Sequence, residues 1–414
     1  MTQLESADTE QIRSDFPVFG KPLPNGKPVV YLDSAASAQK PKQVIKKEME
    51  VYENYFANAY RGVYYFGARV DEELEATRER IREFINAESA DEIIFTAGTS
   101  MSINLVAYAW GRKFLQPDDE VLVNETEHHA ILVPWQQIAK QRGAQLRYLP
   151  LTSDGQLDVS RLDEFLTEKT RLVAVSGMSN VLGTINPIDV IAAAAKERGA
   201  LVLVDGAQSV PHAPVDVRNP NIDFLAFSGH KLYGPTGIGV LYGRRELLEA
   251  MDPFLYGGHM IERVYRDDSS WAAIPAKFEA GTIPIVQAIG LGTAVDYVKE
   301  IGFDRMHEIE RRLLTYAFGR LSEIPGLRIL GPPIDKRGSI VSFTIEGAHP
   351  EDLANLLDLK GVFVRHGHHC TMPLHDWLGI PASVRASFAI YNSESDIDAL
   401  VGGIEFAKQK LRLV

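Results

Sequence analysis

The chain has 414 residues, 45% of them hydrophobic and 24% charged, with a formal net charge of -12 at pH 7. That length predicts a large core split into about two domains, and an acidic balance with no basic block excludes a phosphate-backbone partner such as nucleic acid. No apolar run reaches the length of a membrane span, residues 1–10 are polar and unlike a signal peptide, and the single cysteine, Cys370, excludes an intrachain disulfide, so a cytoplasmic setting is expected.

Residues 1–29 read as an arm, with a short polar helix over 9–15 and a turn-rich stretch before Pro28. A strand at 29–33, a small-residue turn at 34–38 and a charged helix over 41–55 follow. The aromatic stretch 58–67 reads as irregular and suits a pocket wall. Its cation, Arg61, stands among Tyr60, Tyr64 and Tyr65, where it either stacks on a ring face or is solvated. A helix over 71–85 leads to a strand at 92–96 and the turn Ala97-Gly98-Thr99-Ser100, after which apolar residues recur at helical spacing. A glycine turn with hydroxyls at a helix start offers free N–H groups to an anion, although Ser and Thr there are also ordinary helix caps.

Strands at 120–123, 145–149, 172–176, 201–205 and 224–227 alternate with helices at 132–143 and 190–198. This predicts an α/β fold with a mainly parallel, helix-covered sheet. Ligands of such sheets collect at the carboxyl ends of the strands. That rule selects Asp205, residues 176–180, Ser228 to Lys231, the turn after Phe95 and Glu127-His128-His129 after Val123. Lys231 stands in a tight turn at the end of a core strand. A buried ammonium there must find a partner or become neutral, and a neutral lysine attacks carbonyls; the alternative is a lysine that reaches out to solvent. Asp205 ends four apolar residues, so its carboxylate needs a cation or caps the next helix.

Helices at 286–301 and 304–324 precede a new pattern beyond Gly326: strand 339–345, helix 350–357, strand 362–365, the loop His366-Gly367-His368-His369-Cys370, and a last helix at 395–411. The expected division is an arm over 1–29 packing with the small domain, a large domain over 30–300 and a small α/β domain over 301–414. Cys370 beside histidines is a reactive-thiol setting, since a histidine can lower a thiol pKa. Zinc is the rival reading, but adjacent ligands in one loop rarely reach tetrahedral geometry and no metal is expected.

Seven stretches occur in order: Tyr31-Leu32-Asp33-Ser34-Ala35-Ala36-Ser37, Glu127-His128-His129-Ala130, Ser179-Asn180-Val181-Leu182-Gly183, Val204-Asp205-Gly206-Ala207-Gln208, Ser228-Gly229-His230-Lys231, Phe278-Glu279-Ala280-Gly281-Thr282 and Arg365-His366-Gly367-His368-His369-Cys370, with Arg385-Ala386-Ser387 after them. Together they resemble the class V, fold type I pyridoxal-phosphate enzymes, and within these the SufS-type (group II) cysteine desulfurases, over nearly the whole chain. The resemblance implies pyridoxal 5'-phosphate as cofactor. Lys231 would bond its aldehyde, Asp205 would pair with the pyridinium nitrogen, His128 would stack on the ring and Gln208 would meet the phenolic oxygen. Thr99, Ser100, Ser228 and His230 would hold the phosphate, joined by Thr282 of a second subunit, which implies a homodimer. Arg385, helped by Asn180, would hold the carboxylate of L-cysteine, with Arg365, Tyr60 and Arg61 also at the substrate. Cys370 would take the sulfur as a persulfide, release alanine, and pass the sulfur to an acceptor protein for iron-sulfur cluster assembly.

The chain departs from that pattern in three places. Tyr60 and Tyr64 stand where histidines are usual, Ser100-Met101 replaces Thr-Glu, and Glu351 rather than histidine follows His349-Pro350, which favours a SufE-like acceptor over a zinc-bound SufU-like one. The alternatives are a selenocysteine lyase or another class V lyase or aminotransferase, and a catalytically weakened cofactor-binding scaffold.

Overall fold

Short aliphatic runs build the sheet on which everything else is mounted. The computed structural model describes residues 9–413; residues 1–8, where the expected arm begins, lie outside the described residues. In chain order the strands are β1 (Val30–Tyr31), β2 (Ile93–Thr96), β3 (Glu120–Val123), β4 (Gln145–Tyr148), β5 (Thr170–Ser176), β6 (Leu201–Asp205), β7 (Phe224–Ser228), β8 (Gly239–Gly243), β9 (Ile261–Val264), β10 (Ser269–Trp271), β11 (Leu327–Ile329), β12 (Ile340–Ile345), β13 (Val362–Phe363), β14 (Arg365–Gly367) and β15 (Ser383–Ser387). Seven of them form one sheet in the order β2-β8-β7-β6-β5-β3-β4. Its strands run parallel except β8, which is antiparallel to both β2 and β7. β2, β6, β7 and β8 are mostly or wholly buried because helices cover both faces, which is why these strands read as continuous apolar runs.

Two glycines are required where β8 enters. A Cβ on Gly239 would meet the Gly98 Cα at 2.5 Å, and Gly98 itself turns the chain at φ 148° into the helix Thr99–Val106. The close approach brings the start of that helix against the end of β7. On one face, the helix Ile285–Ile301 is buried along most of its length and packs between Lys42–Asn54 and Tyr65–Phe84.

A second, antiparallel sheet, β11-β12-β15-β14, lies under the helices Phe303–Ser322, Pro350–Asp358 and Glu394–Leu411. β1 pairs in parallel with β13, so the chain just after the arm joins the C-terminal part of the molecule. From the described part of the arm, Arg13 reaches Asp396 at 2.8 Å and the Tyr391 carbonyl at 2.7 Å, while Phe16 packs edge-on against Tyr391 and also Tyr297.

The helix after residue 64 starts well before its expected place. The stretch read as irregular up to Gly67 is helical from Tyr65, six residues before the expected start. Gly67 is there for contact rather than as a breaker, since a Cβ would lie 2.6 Å from the Gly62 carbonyl and so push the preceding loop off the helix.

The same helix is fixed to the sheet by a buried ion pair. Glu279 accepts hydrogen bonds from Arg78 Nη1 at 2.9 Å, Arg78 Nη2 at 3.1 Å and the Phe95 amide at 2.7 Å, and both side chains are almost fully covered. Removing one partner strands the other charge. Glu279→Ala is expected to lower the unfolding free energy by about 3–5 kcal/mol, measured by denaturant titration; a loss under about 1 kcal/mol, the range of exposed pairs, would contradict this.

Candidate active site

The carboxyl ends of β2, β3, β5, β6 and β7 converge on a cleft of about 310 Å³ closed from the other side by the β14 loop and β15. At its floor stands Lys231, in a single turn of 3-10 helix after β7. Burial lowers its amine to about 8, the Asp205 carboxylate acting against that shift and the Arg385 charge with it. Asp205 ends β6 and accepts from the Ala207 amide at 2.9 Å, and its burial raises its own pKa. Asp205 thus closes the turn that follows β6 rather than capping a helix, and it lines the same cleft as Lys231, on which its charge acts.

Behind Asp205 lies a second buried carboxylate. Glu127 accepts from the Ser176 amide at 3.0 Å, from the Ser176 hydroxyl and from Asn124. Burial pushes it up to about 7, and the Asp205 charge adds to the rise. Next to it His128 begins the helix His129–Arg142 as an N-cap, its Nδ1 accepting from the Ala130 amide at 3.0 Å. That bond puts the ring proton on Nε2. Burial and Lys231 lower the ring to about 4, so a neutral flat imidazole faces the cleft. An imidazole in a cap position is also why the helix starts three residues earlier than its apolar spacing predicts.

At one end of the cleft Thr99 and Ser228 share a hydroxyl hydrogen bond of 2.7 Å, and the Thr99 amide donates to Ser228 Oγ at 2.9 Å. Ser100 and His230 line the same end. Gln208 lines the cleft and uses one amide N–H on the Ala35 carbonyl at 2.8 Å.

The opposite wall carries the guanidinium groups and the thiol. Arg385 is buried on β15; its Nη1 donates to the Asn180 carbonyl at 2.9 Å and its Nη2 to Asp33 at 3.2 Å. Arg365, its cross-strand partner on β14, grips Asp33 through Nε and Nη2. Cys370 is exposed, and both it and His369 hold left-handed φ values, 59° and 51°. Bonds from outside hold the loop in that shape: the His129 amide donates to the Cys370 carbonyl at 2.8 Å, the Met372 amide to His129 Nε2, and Asn180 Nδ2 to the His369 carbonyl at 2.7 Å.

Within the single chain, His369 and Tyr60 are both engaged elsewhere. His369 does not serve as a cation that lowers the thiol pKa: its ring turns inward to Ser383 at 3.0 Å, and burial beside Arg385 drives it far down, to the neutral form. Tyr60 does not face Lys231 within its own chain. Its hydroxyl takes a bond from Arg78 and sits near Glu75, its ring stacks on His259 at 4.5 Å, and with Arg61 and Thr282 it lines a separate pocket of about 180 Å³. The stacking considered for Arg61 on its neighbouring tyrosines is absent among the described contacts.

Sequence reasoning assigned no role to Glu127, His129, Ser383 or Asp33. The loop rule had pointed to the first two; the others become visible when β14 and β15 pair.

The model of the aminotransferase class-V family matches residues 30–400, and this chain belongs to that family. A probable cysteine desulfurase of Halalkalibacterium halodurans is 49% identical over 402 residues, covering 97% of this chain and 98% of its own. Among solved structures, a cysteine desulfurase of Escherichia coli superposes with a TM-score of 0.90 at 40% identity over 97% of this chain and 98% of its own. One from Thermococcus onnurineus superposes with 0.92 at 38%, with the same coverage.

The cofactor of this class is pyridoxal 5'-phosphate, and the residues present fit it. A glycine-turned helix start with paired hydroxyls suits a phosphate, a buried carboxylate suits a ring N–H, a flat neutral imidazole suits a ring face, and a lysine lowered to about 8 suits an aldehyde.

Two titrations follow. In the cofactor-free protein the Lys231 amine is expected to titrate at about 8, and Asp205→Asn to move it lower, because the carboxylate favours the charged form. Acylation of Lys231 against pH, read by peptide mass spectrometry, measures both, and an upward move would contradict the pairing. Glu127 has a folded pKa of about 7 above its ordinary 4.5, so the stability it contributes is complete below pH 4.5 and is lost as pH rises through 7. Glu127→Gln is expected to flatten that part of the melting-temperature profile.

Proposed function

We propose that this chain is a pyridoxal-phosphate-dependent cysteine desulfurase that turns L-cysteine into L-alanine and carries the sulfur on Cys370. The observation that supports this most is the meeting, on one cleft, of the Lys231 amine and the Asp205 carboxylate with an exposed thiol and a buried arginine fork.

Thr99, Ser100, Ser228 and His230 would hold the cofactor phosphate, Asp205 its ring nitrogen, His128 its face and Gln208 its phenolic oxygen. Bound there, the cofactor withdraws electrons from the amino acid joined to it. Arg385 orients the substrate α-carboxylate through a planar fork. Lys231, neutral at slightly alkaline pH, takes the proton from Cα. The Cys370 thiolate attacks the substrate sulfur: an S–S bond forms, the C–S bond breaks, and its electron pair stays on carbon, which gains a proton and leaves as alanine. The persulfide is then passed to an acceptor thiol by exchange, and the exposure of the loop suits that second encounter.

A homodimer is part of this reading. Thr282, Arg61 and Tyr60 line a pocket set apart from Lys231, and large apolar side chains around them, Val63, Tyr64, Tyr65, Phe66 and Tyr256, are exposed in the single chain. Docking a second copy there covers these residues and would bring Thr282 to the partner's phosphate site. The acceptor is SufE-like, for His349 caps its helix through the Glu351 amide and Glu351 offers no imidazole to a zinc-bound partner. Supply of sulfur to iron-sulfur clusters, in the cytoplasm where a lone thiol stays reduced, completes the assignment.

The holoenzyme supplied with L-cysteine and a thiol reductant is expected to yield alanine and sulfide in equal amounts, and Cys370→Ala to bring both to background. Undiminished turnover by that variant would refute the role of Cys370.

A further inference from the structure

Arg365 and Arg385 are direct cross-strand partners on β14 and β15. Like charges in that position repel, and here one carboxylate holds both. Asp33 accepts from Arg365 Nε at 3.1 Å and Nη2 at 2.9 Å, a two-toothed grip, and from Arg385 Nη2 at 3.2 Å, a single bond. Its backbone is itself fixed, bridged in parallel to Ser387. The Asp33 side chain is 13% exposed and that of Arg385 3%, whereas that of Arg365 is 50% exposed.

The donors of Arg385 are unevenly used. Nη1 is committed to the Asn180 carbonyl, Nη2 is held by Asp33, and Nε is buried with no acceptor. A carboxylate binds an arginine most strongly along an edge that presents two parallel N–H groups. The edge of Arg385 made of Nε and Nη2 has one donor unpaired and the other on Asp33, so a carboxylate arriving there has to take Nη2 from Asp33.

We propose that Asp33 is a built-in competitor for the substrate-carboxylate fork, and that Arg365 is present to receive it. An amino-acid carboxylate takes the Nε and Nη2 edge of Arg385, and Asp33 gives up its single bond there while keeping its double grip on Arg365. No charge is left unpaired in the exchange. Two guanidinium groups and one aspartate carry a net positive charge, and the incoming carboxylate brings the cluster to neutrality. Asp33 thereby sets the affinity for the amino acid, and Arg365 acts on that affinity through Asp33 as a positioning residue. This rests on the proposal that Arg385 receives an α-carboxylate.

The test is calorimetric titration of the holoenzyme with L-alanine, which has the carboxylate and no sulfur to transfer. Asp33→Asn is expected to tighten binding by about five-fold or more, the lower end of coupling between linked sites, although it deletes an ion pair. Arg365→Gln is expected to weaken binding by a similar factor, since Asp33 then falls back on Arg385, and to have little effect in the Asp33→Asn background. Weaker binding by Asp33→Asn, or an equal effect of Arg365→Gln in both backgrounds, would overturn the proposal and leave the amino-acid reading of the cleft standing. If wild-type holoenzyme binds no L-alanine and Arg385→Lys changes nothing, that reading falls and this proposal with it.

Discussion

A lysine and an aspartate that line one cleft at the end of a sheet, each feeling the other's charge, are the constraint on which the rest depends. Lys231 follows β7 and Asp205 ends the neighbouring β6, so strand pairing brings both residues to one end of the sheet and into one cleft. Neither is hydrated well enough to hold its ordinary pKa: the amine is lowered and the carboxylate raised. Their attraction limits both shifts. The result is an amine that is neutral for part of the time near physiological pH beside a carboxylate able to hold a ring N–H, and this is the electronic requirement of the class to which the chain belongs.

The opposite wall carries an excess of positive charge. Two arginines face the cleft from paired strands, and the carboxylate that bridges them comes from the segment just after β1, which pairs with β13. The start of the chain is thus joined to its C-terminal part at the point where charge must be balanced. Cys370 stands on the same construction. Two successive residues in left-handed conformation hold the thiol out, and His129 at the start of its helix and Asn180 in the turn beyond β5 fasten the loop from below.

Much of this was legible in the sequence because the buried parallel strands announce themselves as apolar runs and end in polar residues. β3, β6 and the turn at Lys231 fall where the pattern puts them, and the rule that ligands gather at carboxyl ends selected Asp205, Ser176, Lys231 and the Glu127 loop together. Less was legible where contact rather than periodicity decides. Gly67 looks like a helix breaker and is a close-packing residue; His128 is an uncommon cap, so its helix seemed to begin later. The inward turn of His369 depends on Ser383, fourteen residues away, and the grip of Asp33 on two arginines depends on strand pairings across the whole chain. No local pattern carries such information.

The account stands on sulfur passing to Cys370 within the cleft that holds Lys231. The most direct measurement is a single turnover of the holoenzyme with L-cysteine and no reductant, followed by mass analysis of the Cys370 peptide. One alanine per chain and a peptide heavier by one sulfur atom are the predicted result. Alanine released with the Cys370 peptide unchanged in mass would contradict it.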